Sequence, residues 1–121
     1  MVGIRHSMIM NFKELTTEYF EIFSNKNIDK LAELFDDSIV LRDWDIQKFG
    51  KQEVVAANQN IFDSVDAITV TPIKICADGN TTASEISIEV NVGGNIEHLN
   101  VVDVIEFSSE NKIISVTAYK R

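Results

Sequence analysis

The residues of this chain most able to do chemistry are two aspartates in apolar settings. Asp103 lies in the run HLNVVDVIEF, where period-two alternation groups it with Leu99, Val101, Ile105 and Phe107. Asn100, Val102, Val104 and Glu106 fall on the opposite face. An aspartate in the middle of an apolar strand face is costly unless it is paired, hydrogen-bonded or neutralised. Asp43 repeats the pattern, following Ile39 and Leu41 on one face of SIVLRDW. Desolvation raises a carboxyl pKa and nearby donors lower it, and at this level both outcomes stay open for both residues. Carboxyls with perturbed protonation are the raw material of acid–base catalysis. A structural role stands beside each: Asp43 ending a strand and accepting turn hydrogen bonds, Asp103 as a buried partner in an inert pocket.

The other reactive residue types carry weaker signals. Tyr19 is an aromatic on a helical face whose hydroxyl needs a partner. His98 alternates to the face opposite Asp103 and reads as surface or interface, and His6 is far away in the chain. Two histidines without H-x-H or E-x-x-H spacing give no zinc signal, so no metal or cofactor is expected. Cys76, the only cysteine, sits in ITVTPIKICA and reads as a buried, inert thiol. A lone thiol suits a reducing compartment, and a cytoplasmic location is expected. No G-x-S-x-G and no phosphate-binding glycine loop is present; ADGN and VGGN read as hairpin turns.

These residues must be held by elements that the pattern makes visible. Phe12, Leu15, Tyr19 and Ile22 recur at helical spacing, with Asn11 as a cap and Glu14 completing a capping box. Ile28, Leu31, Leu34 and Phe35 form the face of a second, shorter helix that closes at the aspartate pair 36–37. After the strand SIVLRDW and a polar loop with Gly50, a third helix spans Gln52 to Phe62, its stripe made of Val54, Val55, Asn58, Ile61 and Phe62. Beyond Asp63 the period becomes two. Four strand-like runs follow, ITVTPIKICA, TTASEISIEVNV, IEHLNVVDVIEF and KIISVTAYK, joined by short Gly- and Asn-bearing turns that predict a hairpin meander. Pro72 puts its strand at an edge or a bulge.

Composition bounds the whole. At 121 residues, 45% apolar and 25% charged, the chain makes one ordinary domain, expected over 11–121, with residues 1–10 as a flexible arm. Eleven basic against nineteen acidic residues give a net charge of −8, without a basic cluster to track phosphates, so no nucleic-acid partner is expected. No apolar run is long enough to cross a bilayer, so no membrane partner is expected either.

From Asn11 onward the chain resembles the nuclear-transport-factor-2-like superfamily, on its SnoaL-like polyketide cyclase and steroid Δ5-3-ketoisomerase side. The resemblance rests on YFEIFSNKNIDKLAELFDDSIVLRD and VVDVIEFSSENKIISVTAYK. It implies an α+β, cystatin-like fold: three N-terminal helices packed in the concavity of a strongly bent, mainly antiparallel, cone-shaped sheet with a pocket at one end. It also implies roles: Asp43 as a base, with Tyr19 and Asp103 as hydrogen-bond donors to a substrate oxyanion. Trp44, Phe62, Leu99, Val101 and Ile105 would contact the ligand. Trp44 stands where the isomerases usually have proline after the base, a departure that tells against a steroid. The implied ligand is a small, mostly apolar or amphipathic oxygen-bearing molecule undergoing isomerisation, cyclisation or dehydration. The alternatives are a non-catalytic carrier or sensor and a dimeric interaction domain. An outer sheet face bearing Val102, Val104, Ile114, Val116 and Ala118 predicts a homodimer through the open face of the sheet.

Overall fold

A computed structural model of the chain describes residues 11–121. The expected N-terminal arm, residues 1–10, lies outside the described residues.

Helix α1 (Phe12–Ser24) begins where the sequence provides a cap. The Asn11 side chain accepts from the Glu14 amide at 2.8 Å and donates to the Glu14 carboxylate at 2.7 Å, so one of the helix's unsatisfied N–H groups finds a partner. Its buried face is Thr16, Tyr19, Phe20 and Ile22. Helix α2 (Ile28–Leu34) is capped by Asn27, which accepts from the Lys30 amide at 3.2 Å.

The second helix ends earlier than its apolar spacing suggests. Phe35 is already extended, with φ −88° and ψ 137°, and opens strand β1 (Phe35–Arg42) opposite Ile113. Its apolar ring is buried as a strand residue, which pattern alone does not distinguish from a helical one. Strand β2 (Gln47–Phe49) folds back on β1 as a short antiparallel edge within the segment read as a loop. Gly50 then takes a φ of 85°, a conformation natural to glycine, and its amide donates to the Ile39 carbonyl at 2.7 Å as helix α3 (Lys51–Ser64) begins.

The meander follows as β3 (Ala67–Asp78), β4 (Thr81–Val92), β5 (Asn95–Phe107) and β6 (Ile113–Lys120). The six strands lie in the order β2-β1-β6-β5-β4-β3, all antiparallel except the β1–β6 pair. β3 is an edge strand whose register breaks between Pro72 and Lys74, so Pro72 sits both at an edge and beside a bulge.

The expected architecture needs correction in two respects. Only α1 and α2 precede the sheet; α3 is inserted between β2 and β3. The sheet is open rather than a strongly bent cone, with β2 and β3 as its two edges. Bulges are what bend strands sharply, and β4 and β5 pair without one from Thr81–Glu106 to Val92–Asn95. α1 packs across β3 and β4 and α3 against β1 and β2, covering the inner sheet face. Phe20, Leu31, Ile39, Ile105 and Phe107 form the centre of the core between these layers.

Two side-chain orientations also differ from the alternation reading. Val116 and Ala118 pair with Ile105 and Asp103 and so belong to the inner face. The register shift between Glu106 and Phe107 at the start of β6 resets the alternation there. Cys76 is exposed, because it lies opposite Ala83 on the outer side of an edge strand.

Candidate functional site

The helices and the inner sheet face enclose a cavity of about 200 Å³. Its walls are mainly apolar, with Phe20 and Phe23 from α1 and Ile86, Val101 and Val116 from the sheet. Four polar side chains interrupt them: Tyr19 from α1, Asp43 from the turn after β1, Asn58 from α3 and Asp103 from β5. Each stands on a different segment, so only the packed fold assembles them.

Asp103 is 7% exposed, on the face that strand alternation assigned to it. Burial pushes its carboxyl up to about 7, with no hydrogen bond or cation among the described residues opposing the shift. Tyr19 is 5% exposed. Burial, and then the neighbouring charge of Asp103, hold its phenol well above the ordinary tyrosine range. Both groups therefore keep their protons readily, and a protonated carboxyl or phenol is a hydrogen-bond donor.

Asp43 is half-buried and has a second occupation. One carboxylate oxygen, Oδ1, accepts from the amides of Asp45 at 2.7 Å and Ile46 at 2.8 Å, while the Asp43 amide donates to the Ile46 carbonyl at 2.9 Å. That oxygen shapes the tight turn between β1 and β2; the other, Oδ2, makes no such bond. Trp44, on the same turn, lines the cavity while staying 42% exposed, and the Lys120 ammonium lies 5.2 Å from its ring centroid.

Leu99 and Val101 line the cavity, whereas Phe62 and Ile105 do not. Phe62 packs edge-on against Phe23 with ring centroids 4.9 Å apart, and Ile105 is wholly enclosed in the core. Asn58 is the cavity residue that sequence reasoning passed over. It is 3% exposed; the signal was an amide sitting within the apolar stripe of α3. Ser84 lies directly across the β4–β5 ladder from Asp103, and its buried hydroxyl has no hydrogen-bond partner among the described residues.

Outside the cavity, His98 is surface-exposed, 3.9 Å from the Glu89 carboxylate. Among the described residues no cluster of three or more His, Cys, Asp or Glu is placed to hold a metal. No helix among them is long and apolar enough to cross a membrane.

Helices laid on one face of an open mixed sheet, closing over an apolar cavity with a few polar groups, define an α+β pocket domain. The chain belongs to the SnoaL-like domain family, whose model matches residues 16–116, and thus to the nuclear-transport-factor-2-like superfamily. No protein of curated function matches it significantly. Among solved structures, a putative SnoaL-like polyketide cyclase from Shewanella denitrificans superposes with a TM-score of 0.81 at 12% identity, covering 90% of this chain and 89% of its own. A hypothetical protein of ketosteroid isomerase-like fold from Catenulispora acidiphila, in complex with trimethylamine, gives 0.79 at 16% identity, covering 88% and 84%. An LEH-like epoxide hydrolase of M. tuberculosis gives 0.76 at 17% identity, covering 85% and 77%. At such identities the likeness is one of fold.

Proposed function

We propose that the chain binds a small, mostly apolar, oxygen-bearing molecule in this cavity and performs acid–base chemistry on it, as an isomerase, cyclase or dehydratase. The observation that carries the reading is the pairing of two buried proton-holding groups, Tyr19 and Asp103, in one apolar cavity with Asp43. Withdrawing a proton beside a carbonyl builds charge on oxygen, which needs a base at the carbon and preorganised donors at the oxygen. Asp103 and Tyr19 supply the donors; the free Oδ2 of Asp43 takes the proton. Neighbours of the same fold named as a polyketide cyclase and an epoxide hydrolase support a reacting group that contains oxygen. From the Catenulispora protein we carry over only that this fold takes up a small molecule.

A binding-only reading, as carrier or sensor, is favoured by one specific observation: the Oδ1 of Asp43 is committed to its turn. Turnover by single variants separates the two. With a substrate found among enolisable ketones, epoxides and polyketide-like esters, Asp43→Asn is expected to keep affinity and lose turnover, and Asp103→Leu to weaken binding as well. Wild-type turnover in Asp43→Asn would remove Asp43 as the base. Binding without turnover across the whole screen would establish the carrier reading.

A further inference from the structure

Among the described residues the titratable side chains lining the cavity are Tyr19, Asp43 and Asp103, with no lysine, arginine or histidine. The residues paired with Asp103 across the sheet, Ser84 on β4 and Ala118 on β6, do not titrate. The more buried acid therefore has no counter-charge among the described residues of its cavity, and Lys120 lies over the Trp44 ring. A carboxyl so placed disfavours an anion, because a bound carboxylate or phosphate would find two acids and no cation. It is left wanting a partner that brings both a donor and a positive charge. The rings of Tyr19, Phe20 and Phe23 line the same cavity, and aromatic rings attract cations through their quadrupoles.

From this arrangement we infer that the cavity takes a small aliphatic amine, its nitrogen paired with Asp103 and its alkyl body against the apolar wall. The inference rests on the proposed reading only in that the cavity admits a small molecule; it does not require turnover. The proton balance closes through solvent. An aliphatic amine is an ammonium at neutral pH, so it enters with its N–H bonds formed; the Asp103 O–H bond breaks and that proton leaves to bulk solvent, giving an ammonium–carboxylate pair of no net charge. The same cavity meets a neutral oxygen compound with the protonated acid as donor, which places the alcohol below the amine in affinity, since hydrogen bonds to charged groups are the stronger.

Three probes sharing a six-carbon ring and differing only in the head group test this: cyclohexylamine, cyclohexanol and cyclohexanecarboxylate. In calorimetric titrations of the full chain at pH 8, cyclohexylamine should bind about tenfold or more tighter than cyclohexanol, and the carboxylate should not bind. Asp103→Asn should abolish the amine's advantage while leaving cyclohexanol bound. Because that substitution also changes the hydrogen-bonding character of the cavity, a wild-type measurement stands beside it. At pH 6 the Asp103 side-chain carboxyl carbon resonance should move to its ionised position when cyclohexylamine is added and stay put with cyclohexanol. Cyclohexanol binding as tightly as the amine, or an unmoved Asp103 resonance at saturating amine, would overturn the inference and leave the proposed function intact. Failure of all three probes to bind would remove both.

Discussion

Asp103 concentrates the tension between stability and use. Its ordinary value is 3.8, and in the fold burial raises it to about 7. Below pH 4 the carboxyl is protonated in both folded and unfolded chains, so burial costs little. Between about 4 and 7 the unfolded chain releases a proton that the folded one keeps, and stability falls as pH rises. Above 7 the penalty is constant. Asp103→Asn removes the titrating group at nearly equal volume. It should match wild type near pH 4 and exceed it by about 1–3 kcal/mol at pH 8, read from urea denaturation at the two pH values. A gap that is the same at both pH values would show that Asp103 is not buried as described. Ser84 makes a simpler case. Its hydroxyl is enclosed and has no partner among the described residues, so Ser84→Ala should be neutral or raise stability by up to about 1 kcal/mol in the same assay.

The elements are held together by a few polar ties across the core as well as by apolar packing. Thr16 on α1 and Thr82 on β4 share a buried hydrogen bond of 2.8 Å, fixing the helix that carries Tyr19 over the strand beside Asp103. Thr16→Val leaves the Thr82 hydroxyl buried and unpaired and should cost about 1–3 kcal/mol. Adding Thr82→Val should recover part of that loss, so the double variant falls short of the sum of the singles. Additive losses in thermal unfolding would mean the bond contributes nothing. At the end of the same helix the Ser24 hydroxyl accepts from the Val70 amide at 2.8 Å and so ties α1 to edge strand β3. The cavity wall thus owes its shape to contacts that run from one helix to strands far along the chain.

At the scale of the whole molecule, the outer sheet face carries exposed apolar and aromatic side chains. Val102 and Tyr119 pair across β5 and β6 on that face and are 40% and 59% exposed, with Val104 half-buried beside them. We propose that a second copy covers this surface in a two-fold homodimer. Light scattering at micromolar concentration should give twice the chain mass, and Val104→Lys should halve it without changing the circular dichroism. Monomer mass for the wild type would dismiss the dimer.

The sequence by itself determined the elements whose signals are local. Helix α1 and its Asn11 cap, the long strands β3 to β5, their turns and the edge position of Pro72 all follow from period, capping and turn chemistry. Asp103 was legible for the same reason, since an uninterrupted strand lets period two assign a face to every residue. Tertiary structure decided whatever depended on a distant partner. Phe35 became a strand residue because it pairs with Ile113, and β2 formed because β1 offered it an edge. Val116 and Ala118 turned inward because a register shift reset the alternation before them. The openness of the sheet goes with the long, unbroken β4–β5 pairing and a parallel β1–β6 contact between strands some seventy residues apart, which no local pattern encodes. Asn58 belongs to the same category, whereas the turn-bound oxygen of Asp43 is a local contact, to amides two and three residues on, of the kind the sequence reading set beside its catalytic role. Whether a polar side chain on an apolar stripe meets a cavity or a neighbour is settled only when the layers close over it.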